Sequence, residues 1–323
     1  MDAAENQILS GETFVWREPL LQNVCNGNIR GKGVSNSTSI QAKCHFLHHF
    51  NRYLAVGPFK LEIQLYEPFR SIFHEFFAET ELDWIINFTR PRLFASRIMA
   101  AKEKTKQFDI SDKIIRLRSA TVGFTDVIFN ENYIYKKISG EPLHYEILPL
   151  QDPYGYKVIS KLMFKVSRRI ELVTHLNVTS RNGATKFQST NYGLSGMAAM
   201  HIDPWGYEKG VPIVEGKKSL VHTGDYMATF MGWIEDTASG GGTAFTDKGF
   251  EGTLMPTKGS AGFWFNMLTC HTKDDRTWHA GCPVLKGSKW ILNKWVYSYS
   301  QWKNWPCLLK RRESIPAFEG ISF

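Results

Sequence analysis

The sequence lacks any run of about 20 apolar residues, the length that a helix needs to cross a membrane. The opening stretch, MDAAENQILSGETF, has neither a basic segment nor an apolar core, so no secretory signal is visible. Internal repeats and low-complexity tracts are also missing. Taken alone, these absences predict a cytosolic protein.

Cysteine is scarce, and its spacing disfavours a thiolate zinc site. None of the five cysteines forms a CxxC pair. Two disulfides and one free thiol are compatible with this number, but the spacing alone does not assign the pairs. The cysteines are Cys25, Cys44, Cys270, Cys282 and Cys307.

Charge of one sign is not concentrated anywhere in the chain. The net charge is +8, but the lysines and arginines are scattered, and no zinc-finger or RNP-like pattern accompanies them. A solvated basic surface is therefore expected, and nucleic-acid binding is disfavoured. A content of 43 % hydrophobic and 14 % aromatic residues is typical of a packed globular protein.

The patterning changes from helical to strand-like along the chain. Residues 1–60 form a polar extension, and TELDWIINFT predicts a helix that begins at Thr80 as N-cap and ends at Pro91. Apolar residues three or four apart predict an amphipathic helix over 157–175. After residue 185 the period becomes two, with glycine and proline between the strands. An α+β fold is expected, with helices first and then a β-sandwich or barrel.

The first candidate metal-ligating residues lie in the stretch MHIDPWG. His201 and Asp203 are two positions apart there and would share one face of a strand. Such a pair arises readily by chance. A second imidazole, His279, would complete the two-histidine, one-carboxylate triad of non-haem Fe(II) enzymes, which leaves positions open for a cosubstrate and O₂. Zinc also accepts this donor set. Taken alone, His279 is more often a packed histidine than a ligand.

Lys289 strengthens the case for a site, because it begins a strongly apolar strand. A lysine directed into a barrel needs an anion, since an unpaired buried ammonium is costly. A 2-oxo dicarboxylate that chelates iron would offer its far carboxylate. The alternative is that Lys289 simply points outward, because Lys294 on the same strand must also find a place for its charge.

The segment from about 61 to 307 resembles the catalytic domain of the animal collagen prolyl 4-hydroxylase α-subunit, a 2-oxoglutarate and Fe(II)-dependent dioxygenase. The matching stretches are NYGLSG, HIDPWG, GGGTAF, FWFN and HAGCPVL-GSKW--NKW. The resemblance implies a double-stranded β-helix (jelly roll) over residues 61–323, with 1–60 as a connector. It also implies hydroxylation of peptidyl proline at C4, coupled to oxidative decarboxylation of 2-oxoglutarate to succinate and CO₂, with ascorbate rescuing oxidised iron.

The resemblance also implies residue roles. His201, Asp203 and His279 become iron ligands, and Lys289 binds the distal carboxylate of 2-oxoglutarate. The cosubstrate pocket is completed by Tyr192, Thr243 and Trp295. Related lysyl hydroxylases use arginine where this chain has Lys289, which favours the prolyl branch. A jelly-roll module that binds peptide without turnover, and a hydroxylase of a non-collagen peptide, remain alternatives.

Two disulfides follow from the resemblance, one between Cys282 and Cys307 and a second between Cys25 and Cys44, with Cys270 left over. They imply an oxidising lumen, and the endoplasmic reticulum is therefore expected despite the missing signal. A true start of the protein upstream of residue 1, or a truncated form of the protein, would account for the missing secretory signal. Three Asn-x-Ser/Thr sequons add weak support for glycosylation, at Asn36, Asn87 and Asn177.

The resemblance implies protein disulfide isomerase as a partner that retains the chain, which ends AFEGISF without a retention tetrapeptide of its own. The chain departs from the family on the substrate side. Ala198 replaces a tyrosine near the substrate proline, and Tyr226 replaces an arginine. An altered preference for peptide is expected; a compensated swap that leaves specificity unchanged is the alternative.

Overall fold

A computed structural model describes residues 19–26, 43–47, 56–95, 121–123, 133–137, 145–149, 153–180, 182–204, 207–208, 211–212, 223–247 and 250–306. Its helices are α1 (Pro19–Cys25), α2 (Glu79–Thr89) and α3 (Pro153–Thr174), with 3₁₀ turns at Arg90–Arg92, Asp275–Thr277 and Tyr299–Gln301. No helix within these ranges is long and apolar enough to cross a bilayer.

The strands of the first half are β1 (Lys43–Leu47), β2 (Phe59–Tyr66), β3 (Phe69–His74), β4 (Phe94–Ala95), β5 (Thr121–Gly123), β6 (Tyr133–Lys137) and β7 (Tyr145–Pro149). Those that follow are β8 (Gln188–Tyr192), β9 (Ala198–His201), β10 (Tyr207–Glu208), β11 (Val211–Pro212), β12 (Tyr226–Trp233), β13 (Ser239–Gly240), β14 (Thr243–Phe245), β15 (Gly252–Leu254), β16 (Ala261–Phe265), β17 (His279–Gly281), β18 (Val284–Lys286) and β19 (Lys289–Tyr297).

Two antiparallel sheets form the core of the fold. The large sheet has the order β1-β2-β3-β16-β12-β19-β8-β5-β4, and the small sheet has the order β15-β14-β17-β9. In chain order, eight strands pass between the two sheets: β8 lies in the large sheet, β9 in the small, β12 in the large, β14 and β15 in the small, β16 in the large, β17 in the small and β19 in the large. This alternation is the winding of a double-stranded β-helix, so the expected α+β jelly roll is confirmed.

The large sheet is covered on its outer face by α2 and α3. The amphipathic pattern of α3 is confirmed: its buried apolar side chains, Ile159, Met163, Val166, Ile170 and Val173, share one core with the sheet. The N-cap of α2 is Ala78, not Thr80 as predicted. The reason is the Glu81 carboxylate, which accepts a hydrogen bond from the Ala78 N–H and two from Arg169 of α3.

The small sheet is covered by α1, whose Leu21 and Val24 pack against Ala244, Ala280 and Cys282. This packing places Cys25 beside Cys282, and the two form a disulfide with a Cα–Cα distance of 5.7 Å.

The predicted disulfide pairings are therefore wrong. Because Cys25 and Cys282 are bonded to each other, neither Cys25–Cys44 nor Cys282–Cys307 can form. Cys44 lies in β1, at the edge of the large sheet, and is an exposed free thiol. Cys307 lies outside the described residues, and the boundary predicted at residue 60 stays a prediction.

Candidate metal centre

Two neighbouring strands of the small sheet bring the predicted donors together. His201 ends β9 and His279 begins β17, and the two residues are register partners with ring centroids 4.4 Å apart. Asp203 lies just beyond the end of β9, in a bend rather than in the strand as predicted. The antiparallel pairing thus joins parts of the chain that are far apart in sequence.

The three donors face one point. The Nε2 atoms of His201 and His279 lie 3.7 Å and 3.8 Å from the Asp203 carboxylate oxygens, and the ligand atoms all lie within 4.8 Å of one another. These distances are too long for hydrogen bonds and short enough for one ion to bridge the set. The side chains of Asp203 and His279 are each 6 % exposed, whereas that of His201 is 46 % exposed, so the site opens on the His201 side.

His279 is prepared to bind a metal through Nε2. Its Nδ1 donates a hydrogen bond to the Thr277 carbonyl (2.9 Å), because a carbonyl can only accept, and Nε2 then carries the free lone pair. Burial lowers the pKa of His279 to about 4, and His201 contributes to the shift. The imidazole is therefore neutral at pH 7, and the rings of Phe245 and Trp264 pack around it.

Asp203 is held by residues to which the sequence assigned no role. The Thr229 hydroxyl donates to its Oδ2, and Asn266 Nδ2 in turn donates to Thr229 Oγ1 (2.8 Å). Thr229 and Asn266 are both buried. Asn266 ends the stretch FWFN, which is one of the stretches that carry the resemblance. That match could have identified Asn266 as a residue of the site.

Lys289 lies inside the barrel and is 2 % exposed. Its Nζ donates to the Gly242 carbonyl (3.3 Å) and to Thr243 Oγ1 (3.2 Å), and it lies 5.7 Å from the Tyr192 ring centroid. Burial lowers the pKa of Lys289 to about 7. Among the described residues Lys289 forms no ion pair with a carboxylate, so an anion entering this pocket would meet an ammonium without a counter-charge.

Of the other predicted pocket and substrate-side residues, Tyr226 and Trp295 lie in the large sheet, on the paired strands β12 and β19. The Tyr226 ring stacks on Trp295 (5.6 Å, 23°) and lies against Tyr297. Trp295 Nε1 is buried and has no hydrogen-bond partner within the part of the chain that the structure describes. Ala198 lies in the small sheet, opposite Gly281. The roles predicted for these residues stay predictions, but the structure places Tyr192, Thr243 and Lys289 together.

Sequence comparison finds similarity to prolyl 4-hydroxylase subunits. The chain is 28 % identical over 289 residues to human prolyl 4-hydroxylase subunit alpha-1, which covers 88 % of this chain and 45 % of that protein. It is 35 % identical over 170 residues to the chicken alpha-1 subunit (53 % and 31 % covered) and 27 % identical over 264 residues to human subunit alpha-3 (82 % and 40 % covered). The chain thus spans less than half the length of these relatives.

No protein-family model matches the chain. Solved structures that resemble it include the viral collagen prolyl hydroxylase of Paramecium bursaria Chlorella virus-1 (17 % identity, TM-score 0.42, covering 71 % of this chain and 95 % of that one). A Pseudomonas putida prolyl-4-hydroxylase gives 12 % identity and a TM-score of 0.36, covering 71 % and 91 %. The jelly roll itself is shown by the strand order described above.

Proposed function

We propose that this chain, a divergent relative of the prolyl 4-hydroxylase α-subunits in sequence, hydroxylates peptidyl proline at C4 with 2-oxoglutarate and O₂ as cosubstrates. The observation that carries the proposal is the convergence, in one barrel, of the His201–Asp203–His279 donor set and a buried lysine that has no carboxylate partner among the described residues. A metal site alone would suit many reactions. Lys289 adds a binding position for the far carboxylate of a dicarboxylate cosubstrate.

The donor set fits Fe(II). Two imidazoles and a carboxylate leave several coordination positions free, and the bound iron would supply the chemistry that activates O₂. His279 would bind through Nε2, Asp203 through its carboxylate and His201 through Nε2. Zinc accepts the same donors, but the similarity to the prolyl hydroxylases favours iron.

The remaining pocket residues bind and orient the cosubstrate. Lys289 would pair with its distal carboxylate, and the Thr243 hydroxyl, already 3.2 Å from Lys289 Nζ, would share that anion. Tyr192 would close the wall behind it. The burial of Lys289 and Thr243 excludes water and strengthens these contacts.

For the substrate we propose a proline-rich segment, collagen-like or of another sequence, with Ala198 and Tyr226 on its side of the site. We further propose ascorbate as the reductant that rescues oxidised iron, the endoplasmic reticulum lumen as the compartment, and protein disulfide isomerase as a partner. The Cys25–Cys282 disulfide supports an oxidising compartment. Asn87 and Asn177 are candidate glycosylation positions there.

The test is an assay of the purified chain with Fe(II), ascorbate, 2-oxoglutarate and proline-rich peptides. Succinate should form, and mass spectrometry should find one added oxygen atom on proline. The His279→Ala variant should lose turnover by at least about 100-fold, because it removes a buried ligand. His74→Ala, which changes a histidine on β3, should not. Full turnover in His279→Ala would disprove the metal assignment, and peptide binding without succinate would favour the non-catalytic module.

A further inference from the structure

A buried hydrogen-bond relay connects Asn266 to the carboxylate of Asp203 through Thr229. Asn266 is fully buried and Thr229 is 2 % exposed. Asn266 Nδ2 lies 2.8 Å from Thr229 Oγ1, and Thr229 Oγ1 contacts Asp203 Oδ2. Asn266 itself is outside the donor set formed by the two histidines and Asp203.

The direction of the relay follows from its chemistry. An ionised carboxylate only accepts hydrogen bonds, so the single hydroxyl proton of Thr229 goes to Asp203. Thr229 Oγ1 can then only accept from its other neighbour, which must be the amide nitrogen of Asn266. An asparagine donor thus fixes the hydroxyl, and the hydroxyl fixes one carboxylate oxygen.

The main chain of Asn266 supports a second ligand. Its carbonyl accepts from the Asp274 N–H (2.9 Å), and the Asp274 carbonyl accepts from the Thr277 N–H (3.0 Å). The Thr277 carbonyl then accepts from His279 Nδ1 (2.9 Å). Two of the three candidate metal ligands are therefore connected to Asn266, one through its side chain and one through its backbone. The Asn266 N–H is itself anchored to the Met227 carbonyl (2.7 Å).

We propose that Asn266 is a positioning residue that acts through Thr229 to orient Asp203 for the metal. The inference rests on the proposed function, because it needs the triad to hold an ion. With Oδ2 occupied by the Thr229 hydroxyl, the carboxylate is held against rotation. Outer hydrogen bonds of this kind change metal affinity by roughly 10- to 100-fold when they are removed.

The test measures Co(II) affinity of the metal-free full-length chain by the visible absorption of the bound ion, without any turnover. Asn266→Asp keeps the shape and removes the donor, and it should weaken Co(II) binding by roughly tenfold. Thr229→Val should do the same, and Thr229→Ser, which retains the hydroxyl, should restore affinity to within about threefold of wild type. Asn304→Asp, which changes a surface amide bonded to the His175 carbonyl, is the matched control.

A double substitution separates action through Thr229 from a general effect on folding. In the Thr229→Val background, Asn266→Asp should cause no further loss of Co(II) affinity, because the relay is already broken. Thermal unfolding of each metal-free variant identifies any that has lost its fold, and Asn266→Ser replaces Asn266→Asp in that case.

The possible outcomes are distinct. Tight Co(II) binding by the wild-type chain with unchanged affinity in the Asn266 variants overturns the relay alone, as does an additive loss in the double variant. Absence of Co(II) binding to the wild-type chain overturns the proposed metal centre itself. Non-additive losses with rescue by serine support the positioning role.

Discussion

The two sheets of the barrel are stabilised by different means. The large sheet has strands of up to nine residues, and its outer face packs against an 11-residue and a 22-residue helix. The small sheet has strands of three or four residues and is covered by a seven-residue helix. Its cover is cross-linked by Cys25–Cys282. The two candidate histidine ligands, His201 and His279, lie in the sheet that has the smaller core and the covalent support.

The first prediction tests this difference by breaking the disulfide. Cys25→Ser should lower the free energy of unfolding by about 2–4 kcal/mol, because the bond joins residues 257 positions apart. Since Cys282 lies three residues after His279, metal affinity should fall as well. Chemical denaturation and Co(II) titration measure the two effects. Cys44→Ser, at an exposed free thiol, is the control and should change neither. An unchanged stability in Cys25→Ser would show that α1 packs on the small sheet without the cross-link.

The large sheet offers its own comparison, because its strand β19 buries one lysine on each face. Lys289 faces the site and Lys294 faces the helices, and burial lowers the pKa of each to about 7. Lys294 Nζ donates to the Thr185 carbonyl at 2.8 Å and lies 4.2 Å from the Phe187 ring centroid. Within the described residues, the hydrogen bonds of Lys289 Nζ are longer, at 3.2 Å and 3.3 Å, and its ring contact with Tyr192 is more distant, at 5.7 Å. Lys289, whose hydrogen bonds are longer than the one that Lys294 makes, is therefore the lysine available to a ligand.

The second prediction concerns Lys289. Lys289→Ala should weaken 2-oxoglutarate binding by roughly 10- to 100-fold, since a charge-assisted contact contributes about 1.5–3 kcal/mol. Co(II) affinity should change far less. Calorimetric titration of the cosubstrate onto the metal-loaded chain gives the value, with Lys286→Ala, which changes an exposed residue at the end of β18, as control. If Lys289→Ala bound 2-oxoglutarate as wild type does, the lysine would not be its anchor.

The third prediction is a pH dependence of stability from Lys294. Its folded pKa of about 7 lies below the ordinary value, so between pH 7 and about pH 10 the unfolded chain binds more protons. The free energy of unfolding should therefore rise with pH in this window, by up to about 1.4 kcal/mol per pH unit for each such lysine. Lys294→Met should remove about half of the slope and leave the part due to Lys289.

Urea denaturation at pH 7, 8 and 9 measures this slope for wild type and variant. Lys286→Met, which changes an exposed lysine, should keep the wild-type slope. An identical slope in Lys294→Met would mean that Lys294 keeps its proton in the folded state.

The sequence predicted those parts of the molecule that depend on local pattern or on a specific motif. Apolar spacing indicated α3, alternation indicated β12, β16 and β19, and the motif residues did converge. The Cys25–Cys282 disulfide could not be predicted, because the position of α1 on the small sheet depends on a tertiary contact that the spacing of the cysteines does not encode. The relay was missed for a similar reason: Asn266 and Thr229 meet Asp203 only after three separate segments pack together.

The last prediction concerns the two residues proposed to lie on the substrate side, Ala198 and Tyr226, one on each sheet. Tyr226 stacks on Trp295 of the large sheet, and Ala198 lies opposite Gly281 of the small sheet. The family has a tyrosine where this chain has Ala198, and an arginine where this chain has Tyr226. The phenol of Tyr226 cannot supply the fixed positive charge of an arginine. Weak hydroxylation of (Pro-Pro-Gly) repeats is therefore expected, with measurable decarboxylation of 2-oxoglutarate that is not coupled to it.

Restoring the family residues tests this interpretation. Ala198→Tyr together with Tyr226→Arg should raise the coupled rate several-fold, by more than either change alone, because the two side chains would hold one peptide from opposite sheets. The ratio of hydroxyproline to succinate measures the coupling, and His74→Ala serves as an unrelated control. Efficient hydroxylation of collagen-like repeats by the unmodified chain would contradict the altered preference. It would instead favour the alternative that the two substitutions compensate each other, with Tyr226 filling the space vacated at Ala198 and specificity unchanged.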